Sequence, residues 1–224
     1  MRPSEFEQHG SALVPGALPA HECDHAAHLV EVTGASGVGT RSLMAQPWCA
    51  ALARRLHRQH GLADLIPADH VAVQCTFFEK SASLNWLVPV HQDLGIPVAE
   101  RVDHPALRAW SEKEGALFVQ PPVDFLAQLT AVRIHLDACT AQDGPLRAIP
   151  GTHRRGLITD PDASALRARG PEITLCADKG DAVVMRPLLL HASSKATGTS
   201  RRRVLHFLFG PRQPPHGLRW HHAA

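Results

Sequence analysis

The stretch VPVHQDLGIPV, residues 88–98, places a histidine and an aspartate two positions apart at the end of a run of strand-forming residues. Alternate side chains of a strand share a face, so His91 and Asp93 would present an imidazole and a carboxylate to one centre, a pairing suited to a metal ion. The same spacing recurs at His135 and Asp137 in AVRIHLDAC, and in a chain with 16 histidines spacing alone does not choose between the two.

A chain of 224 residues that is 44% hydrophobic can bury a sizeable core, and it fits one domain over residues 1–224 better than two small ones. Its 23 basic and 21 acidic residues are interspersed and leave a net charge of +2, which offers no electrostatic footprint for nucleic acid or anionic lipid. No apolar run approaches the roughly 20 residues needed to span a bilayer, so no membrane association is expected. The opening MRPSEFEQHG lacks the apolar centre of a signal peptide, and the expected location is cytoplasmic. Cys23, Cys49, Cys75, Cys139 and Cys176 are odd in number, scattered, and form no C-x-x-C, which argues against a disulfide framework or a zinc ribbon and for buried thiols.

Two segments, PAHECDHAAHLVE (19–31) and QPWCAALARRLHRQH (46–60), have helix-forming composition with a proline near the start. Beyond them the texture changes to short runs rich in β-branched and aromatic residues: HVAVQCTFFEK, SLNWLVPVHQD, FLAQLTAVRIHLDAC, LRAIPG, EITLCA, DAVVMRPLLLHAS and RRRVLHFLFG, with turn residues between them. Many short strands without long intervening helices imply a mainly β fold with supporting helices, an antiparallel barrel or a double-sheet jelly roll. The expected organisation is a helical part over residues 1–69, a jelly-roll core over 70–210 and an irregular tail over 211–224.

HECDH, residues 21–25, matches the H-E-x-x-H pattern of zinc hydrolases. The next glycine-containing ligand motif is missing, with His28 where a glycine would stand, and a solvated histidine face is the simpler reading. GASGVGTR, residues 34–41, has the glycines of a phosphate loop but no lysine and no preceding strand, so it reads as a plain loop. What remains is His91, Asp93 and the lone histidine of DAVVMRPLLLHAS, His191. Two imidazoles and a carboxylate leave three positions open on an iron ion, room for a chelating co-substrate and O2. A jelly roll can bring an early and a late strand side by side, as this set requires, though His91 could equally satisfy a core hydrogen bond.

Three segments in order, NWLVPVHQDLGI (85–96), DGPLRAIPGTHRRG (143–156) and GDAVVMRPLLLHASSKATGTSRRRVL (180–205), resemble the phytanoyl-CoA dioxygenase family of Fe(II)- and 2-oxoglutarate-dependent oxygenases. The middle one carries the L-x-x-I-P-G-[ST]-H-R run of that family, which strand composition does not explain. The resemblance implies a double-stranded β-helix, cupin-like, with helices packed on one sheet. It also implies His91, Asp93 and His191 as iron ligands, and 2-oxoglutarate, Fe(II) and O2 as the reactants that hydroxylate an aliphatic C–H of a small-molecule substrate with release of succinate and CO2. Acyl thioesters, amino acids and secondary metabolites are all substrates within the family. Its arginine for the distal carboxylate of 2-oxoglutarate lies eleven residues after the second histidine, which here is Arg202; strand parity independently puts Arg202 with Val204, His206 and Leu208, apart from Arg201 and Arg203.

Parity also groups Ser193 with His191, and Gln74 with Lys80, as candidates for co-substrate contacts. Asn85, Trp86 and Arg133 are candidates for the pocket wall. The chain has no tyrosine, so any phenol contact made by relatives is absent or replaced. Two other classes stand beside the oxygenase: a zinc metallohydrolase using HECDH, active without O2 or 2-oxoglutarate, and a non-catalytic jelly-roll binding protein.

Overall fold

The structure, a computed structural model, describes residues 3–35 and 39–224. Part of GASGVGTR, residues 36–38, lies outside the described residues. The chain runs α1 (Pro3–His9), β1 (Ser11–Val14), α2 (Ala20–Val32), α3 (Pro47–Arg58), β2 (His70–Lys80), β3 (Val88–His91), β4 (Ile96–Val98), β5 (Arg108–Lys113), β6 (Ala116–Gln120), α4 (Val123–Leu126), β7 (Thr130–His135), β8 (Leu146–Ala148), α5 (Asp160–Arg169), β9 (Ile173–Leu175), β10 (Ala182–Met185), β11 (His191–Ser193) and β12 (Arg202–Pro211). The strands form a five-stranded sheet in the order β1-β10-β7-β12-β2, a four-stranded sheet β3-β11-β8-β9, and a three-stranded sheet β4-β6-β5. Every pairing is antiparallel. This is the jelly roll the strand pattern implies.

Two apolar layers flank the large sheet, and strand parity assigns residues to each. On the outer face Phe77, Val132, Ile134, Leu205, Phe207 and Phe209 pack beneath the helices. Cys49, Leu52, Ala53 and Leu56 supply the matching stripe of α3, at helical spacing, with Pro47 at its start. Phe77, Phe207 and Phe209 are fully buried, and truncating one to alanine would cost about 3–5 kcal/mol. The inner face contributes Val71, Val73, Ala131, Val183 and Leu208 to a second layer closed by Ile96, Val119 and Phe125. A register shift opposite Leu208 and Phe209 lets both Val73 and Gln74 face inward, so β2 changes from an apolar to a polar inner face along its length. Four cysteines are buried as expected, whereas Cys176 is exposed. Among the described residues no helix is long and apolar enough to cross a membrane.

Several expectations change. The N-terminal part is not purely helical, because SALV forms β1 and extends the large sheet beside β10. FLAQL belongs to α4 and the turn after it rather than to the strand that follows. DAVVMRPLLLHAS is not one strand: Pro187 interrupts it, and β10 and β11 join different sheets. The β5–β6 hairpin and α5 were not expected, since RAWSEK is almost wholly exposed and carries no alternation.

The tail is ordered against the core. Trp220 stacks on Phe125 at 6.0 Å and bridges Val98, and Ala224 exchanges two backbone hydrogen bonds with Ala72, each 3.0 Å. Thr40 and Ser42 make further bridges to Phe77 and Cys75 on β2.

Gly180 closes the turn into β10 at φ +91, and a Cβ there would stand 2.1 Å from the carbonyl oxygen of Leu18. Its own carbonyl accepts a hydrogen bond from the Leu18 N–H. Gly180→Ala combines a disfavoured backbone with a clash against backbone, and we expect urea unfolding to show a loss of about 3 kcal/mol; a change under about 0.5 kcal/mol would mean that the turn relaxes freely.

Candidate active site

Antiparallel pairing puts His191 of β11 directly opposite His91 of β3, and their ring centroids are 4.2 Å apart. Asp93 lies just beyond the end of β3, where its N–H donates to the carbonyl of Pro187 at 2.9 Å and so ties the H-x-D segment to the approach to β11. The three donor atoms lie within 4.8 Å of one another, with His91 Nε2 at 3.5 Å from Asp93 Oδ1 and His191 Nε2 at 3.7 Å from Asp93 Oδ2.

Each histidine bonds through Nδ1 to the carbonyl two residues before it, His91 to Pro89 at 2.9 Å and His191 to Leu189 at 2.8 Å. A carbonyl only accepts, so Nδ1 carries the hydrogen in both rings and the Nε2 lone pairs face the carboxylate. Two neutral imidazoles with orienting partners, plus one carboxylate, fit a divalent iron ion and leave open coordination positions. Desolvation works against the Asp93 carboxylate, but His191, His91 and His206 outweigh it and hold its carboxyl well below the usual range. Burial lowers His191 to about 4. For His91 the contact with Asp93 outweighs desolvation and raises it.

The second H-x-D pair diverges. His135 is buried on the inner side of β7, whereas both carboxylate oxygens of Asp137 are taken by Arg203, at 2.8 Å each. HECDH lies on α2 with His21 and His25 exposed, Glu22 paired with Arg55, and Asp24 with Lys179. Among the described residues, His91, Asp93 and His191 are the one group that could hold a metal ion.

The triad opens into a cavity of about 560 Å³. At its far end Arg202 stands opposite Lys80 in the β12–β2 register, 3% and 1% exposed. Lys80 Nζ donates to Ser193 Oγ and to the Ser194 carbonyl, both at 2.5 Å, and lies 5.4 Å from the Trp86 ring centroid. Arg202 Nη1 donates to the carbonyl of Gly144 at 2.5 Å, and its Nε is buried without a partner. Gly144 has φ +63, and a Cβ there would meet Ser194 and Lys80, so the turn can approach this end only as glycine. Burial, with Arg202 and Arg133 adding, pushes Lys80 down to about 8.

Gln74, whose Nε2 donates to Thr76 at 2.9 Å, Trp86, Arg133 and Ser193 all line this cavity. Asn85 does not: its side-chain amide pairs with the backbone of Ala196 in two 2.8 Å bonds and clasps two loops together. Arg201 and Arg203 sit on the opposite face of β12 and pair with Glu31, Glu79 and Asp137.

Two residues escaped the sequence reading. Gln92, between the ligands, turns the other way and spends its amide on the Leu188 and Gly156 carbonyls and the Ile158 N–H, at 2.7–2.9 Å. Parity puts it on the face opposite His91 and Asp93 but says nothing of these partners. His206 stands 4.0 Å from Asp93, with Arg133 Nη1 3.0 Å from its Nδ1; only its shared face with Arg202 hinted at this.

A jelly roll that aims two imidazoles and a carboxylate at one point beside an anion-seeking cavity defines the non-haem iron, 2-oxoglutarate-dependent class of oxygenases. Within it the chain belongs to the phytanoyl-CoA dioxygenase (PhyH) family, whose model matches residues 6–204 and so takes in most of the N-terminal part as well. No curated protein sequence matches the chain significantly.

Solved structures share the fold. SnoK, a non-heme alpha ketoglutarate dependent carbocyclase from nogalamycin biosynthesis, superposes with a TM-score of 0.68 at 16% identity, covering 93% of this chain and 82% of its own. AviO1 from Streptomyces viridochromogenes Tue57 gives 0.61 at 22% identity over 95% of both chains. HygX from Streptomyces hygroscopicus, with nickel and 2-oxoglutarate bound, gives 0.61 at 16%, covering 92% of this chain and 84% of its own.

Two outcomes follow from the geometry. His91→Ala, Asp93→Ala and His191→Ala should each weaken Fe(II) binding by at least about tenfold in equilibrium dialysis, while His135→Ala and the double change His21→Gln, His25→Gln should leave one iron bound; retention by His91→Ala with loss by His135→Ala would reverse the assignment. Burial, with Arg133 and Arg202 adding, lowers His135 to about 3 from an ordinary 6.5. Between those values the unfolded chain binds a proton that the folded chain does not, so stability falls as pH drops through that window. His135→Leu should flatten the pH dependence of urea unfolding between pH 6.5 and pH 4 by up to about one proton, and an unchanged slope would show that His135 titrates normally.

Proposed function

We propose that the chain is a hydroxylase of an aliphatic C–H bond in a small molecule, using His91, Asp93 and His191 to hold Fe(II) and Arg202, Lys80 and Ser193 to hold 2-oxoglutarate. The observation that carries this reading is one cavity with a converging His–Asp–His set at one end and a buried Arg–Lys pair at the other. Fe(II), 2-oxoglutarate and O2 together supply the oxidant that converts C–H to C–OH, with 2-oxoglutarate leaving as succinate and CO2. HygX, which shares the fold, has been crystallised with 2-oxoglutarate, and SnoK is described as dependent on the same compound.

The protein's own contribution is placement. A guanidinium receives a carboxylate through parallel charge-assisted hydrogen bonds and stays charged throughout the working pH range, which suits Arg202 to the distal carboxylate. Lys80, held by Ser193 and the Ser194 carbonyl, adds a second donor with fixed direction. Gln74 and Trp86 bound this end from β2 and the loop after it. Leu94, Ile96, Phe118 and Leu208 wall the rest and exclude water from the reacting centre. At the mouth Arg41 is clasped to Glu114 at the tip of the β5–β6 hairpin, through its backbone N–H at 2.7 Å and its guanidinium at 3.2 Å.

The deciding experiment is anaerobic addition of Fe(II) and 2-oxoglutarate, which should give a weak visible charge-transfer absorption, followed by succinate on admitting O2. Activity that needs neither compound would replace this reading with a hydrolase, and binding without consumption would replace it with a binding protein. Arg202→Ala should raise the 2-oxoglutarate concentration for half-maximal absorption at least tenfold, a buried charge pair being worth about 2–5 kcal/mol. Arg201→Ala and Arg203→Ala, whose partners lie on the outer face, should change it far less.

A further inference from the structure

Arg133 is 7% exposed, lines the same cavity, and is not among the residues assigned to 2-oxoglutarate above. It rises from β7 opposite His206, so it lies four residues along β12 from Arg202, on the metal side, a separation of roughly 13 Å at strand rise. Its side chain crosses β12 to reach Phe78 on β2, with the guanidinium carbon 5.4 Å from the ring centroid. One nitrogen faces neutral His206; Nε is buried and has no partner, and Nη2 has none among the described residues. The unpartnered Nε–Nη2 edge is the one with which a guanidinium grips a carboxylate side-on.

The charges near it do not balance. None of Lys80, Arg133 and Arg202 forms an ion pair among the described residues. Fe(II), the Asp93 carboxylate and the 2-oxoglutarate dianion sum to minus one, which Lys80 and Arg202 already exceed, so the charge of Arg133 is left over. A buried, unpaired guanidinium is unfavourable unless a ligand completes it. Apolar side chains, Val88, Leu94, Phe118, Leu126 and Leu129, occupy much of the remaining wall.

We infer that Arg133 anchors the primary substrate, and that this substrate is a small amphiphile with a carboxylate at one end and an aliphatic or aromatic body. The inference rests on the oxygenase reading. The anchored carboxylate would orient the body along the apolar wall and so select which carbon meets the metal centre. Arg133 is thereby a specificity determinant, separate from the co-substrate arginine.

The test uses the full chain loaded with Zn(II) in place of Fe(II), so that nothing turns over. Calorimetry with 2-oxoglutarate comes first, and failure to bind it would overturn the oxygenase reading before the substrate is addressed. Hexanoate, octanoate and 3-phenylpropanoate are then titrated into the Zn(II)/2-oxoglutarate protein by ligand-observed NMR, each beside its primary amide. At least one carboxylate should bind at least about tenfold tighter than its amide without displacing 2-oxoglutarate, as expected for a buried charge-assisted pair.

In Arg133→Gln that preference should fall below about threefold while the 2-oxoglutarate Kd moves less than about threefold, and Arg133→Lys, which keeps the charge, should retain part of the preference. The inference is overturned if no carboxylate binds, if amides bind equally, if Arg133→Gln keeps the preference, or if its 2-oxoglutarate Kd rises tenfold or more, which would assign Arg133 to the co-substrate. Should Arg133→Gln fail to fold, a weakened but not abolished preference in a folded Arg133→Lys together with an unchanged 2-oxoglutarate Kd supports the anchor, and retention there of the full wild-type preference overturns it.

Discussion

The strand Arg202–Pro211 is hydrogen-bonded along both edges, to His70–Lys80 on one side and Thr130–His135 on the other. Its two faces have opposite characters. Leu205, Phe207 and Phe209 seal against the helices, while Arg202, Val204, His206 and Leu208 look into the barrel. A slip of one residue would bury Arg203 in the cavity and turn three large apolar side chains inward, so packing on the outer face enforces the polar arrangement on the inner one. The pairs Arg202–Lys80 and His206–Arg133 are consequences of that register. The helices therefore act on the site at a distance, by making the alternative registers expensive.

The same register concentrates like charge. Burial, with Arg202 adding, lowers Arg133 to about 10, and Lys80 falls for the same two reasons. The mutual repulsion is tolerated because the surrounding sheets bury enough apolar surface to offset it, a compromise common at sites that await an anion. Anion binding then adds its free energy to folding stability through mass action. Gly144, whose carbonyl faces Arg202, softens the cluster without neutralising it.

Much of the fold was legible because its long strands have clear periodicity. HVAVQCTFFEK runs as β2 over the whole stretch, and the parity read on RRRVLHFLFG separates the cavity side from the helix side. Less was legible where local pattern conflicts with long-range pairing. SALV is four residues long and becomes a strand only because β10 offers an edge. The apolar run of DAVVMRPLLLHAS continues through a change of sheet that only Pro187 betrays, yet that change is what brings His191 opposite His91. Asn85 stood beside Trp86 in sequence but serves the Ala196 loop instead. Gln92 and His206 matter through partners far away in the chain, which no spacing rule records.

The outer edge of β2 has a further consequence, for how copies of this chain meet. A long strand at the border of a sheet ordinarily offers a free ladder of N–H and C=O groups to any other extended segment. Here the chain covers that ladder itself. Ala224 occupies the edge at Ala72, and Thr40 and Ser42 occupy it at Phe77 and Cys75. The other border of the large sheet is β1, only four residues long. Strand-to-strand polymerisation through the large sheet is thus disfavoured by segments that supply none of the metal-binding side chains, and trimming either segment would trade a tidy boundary for an adhesive one.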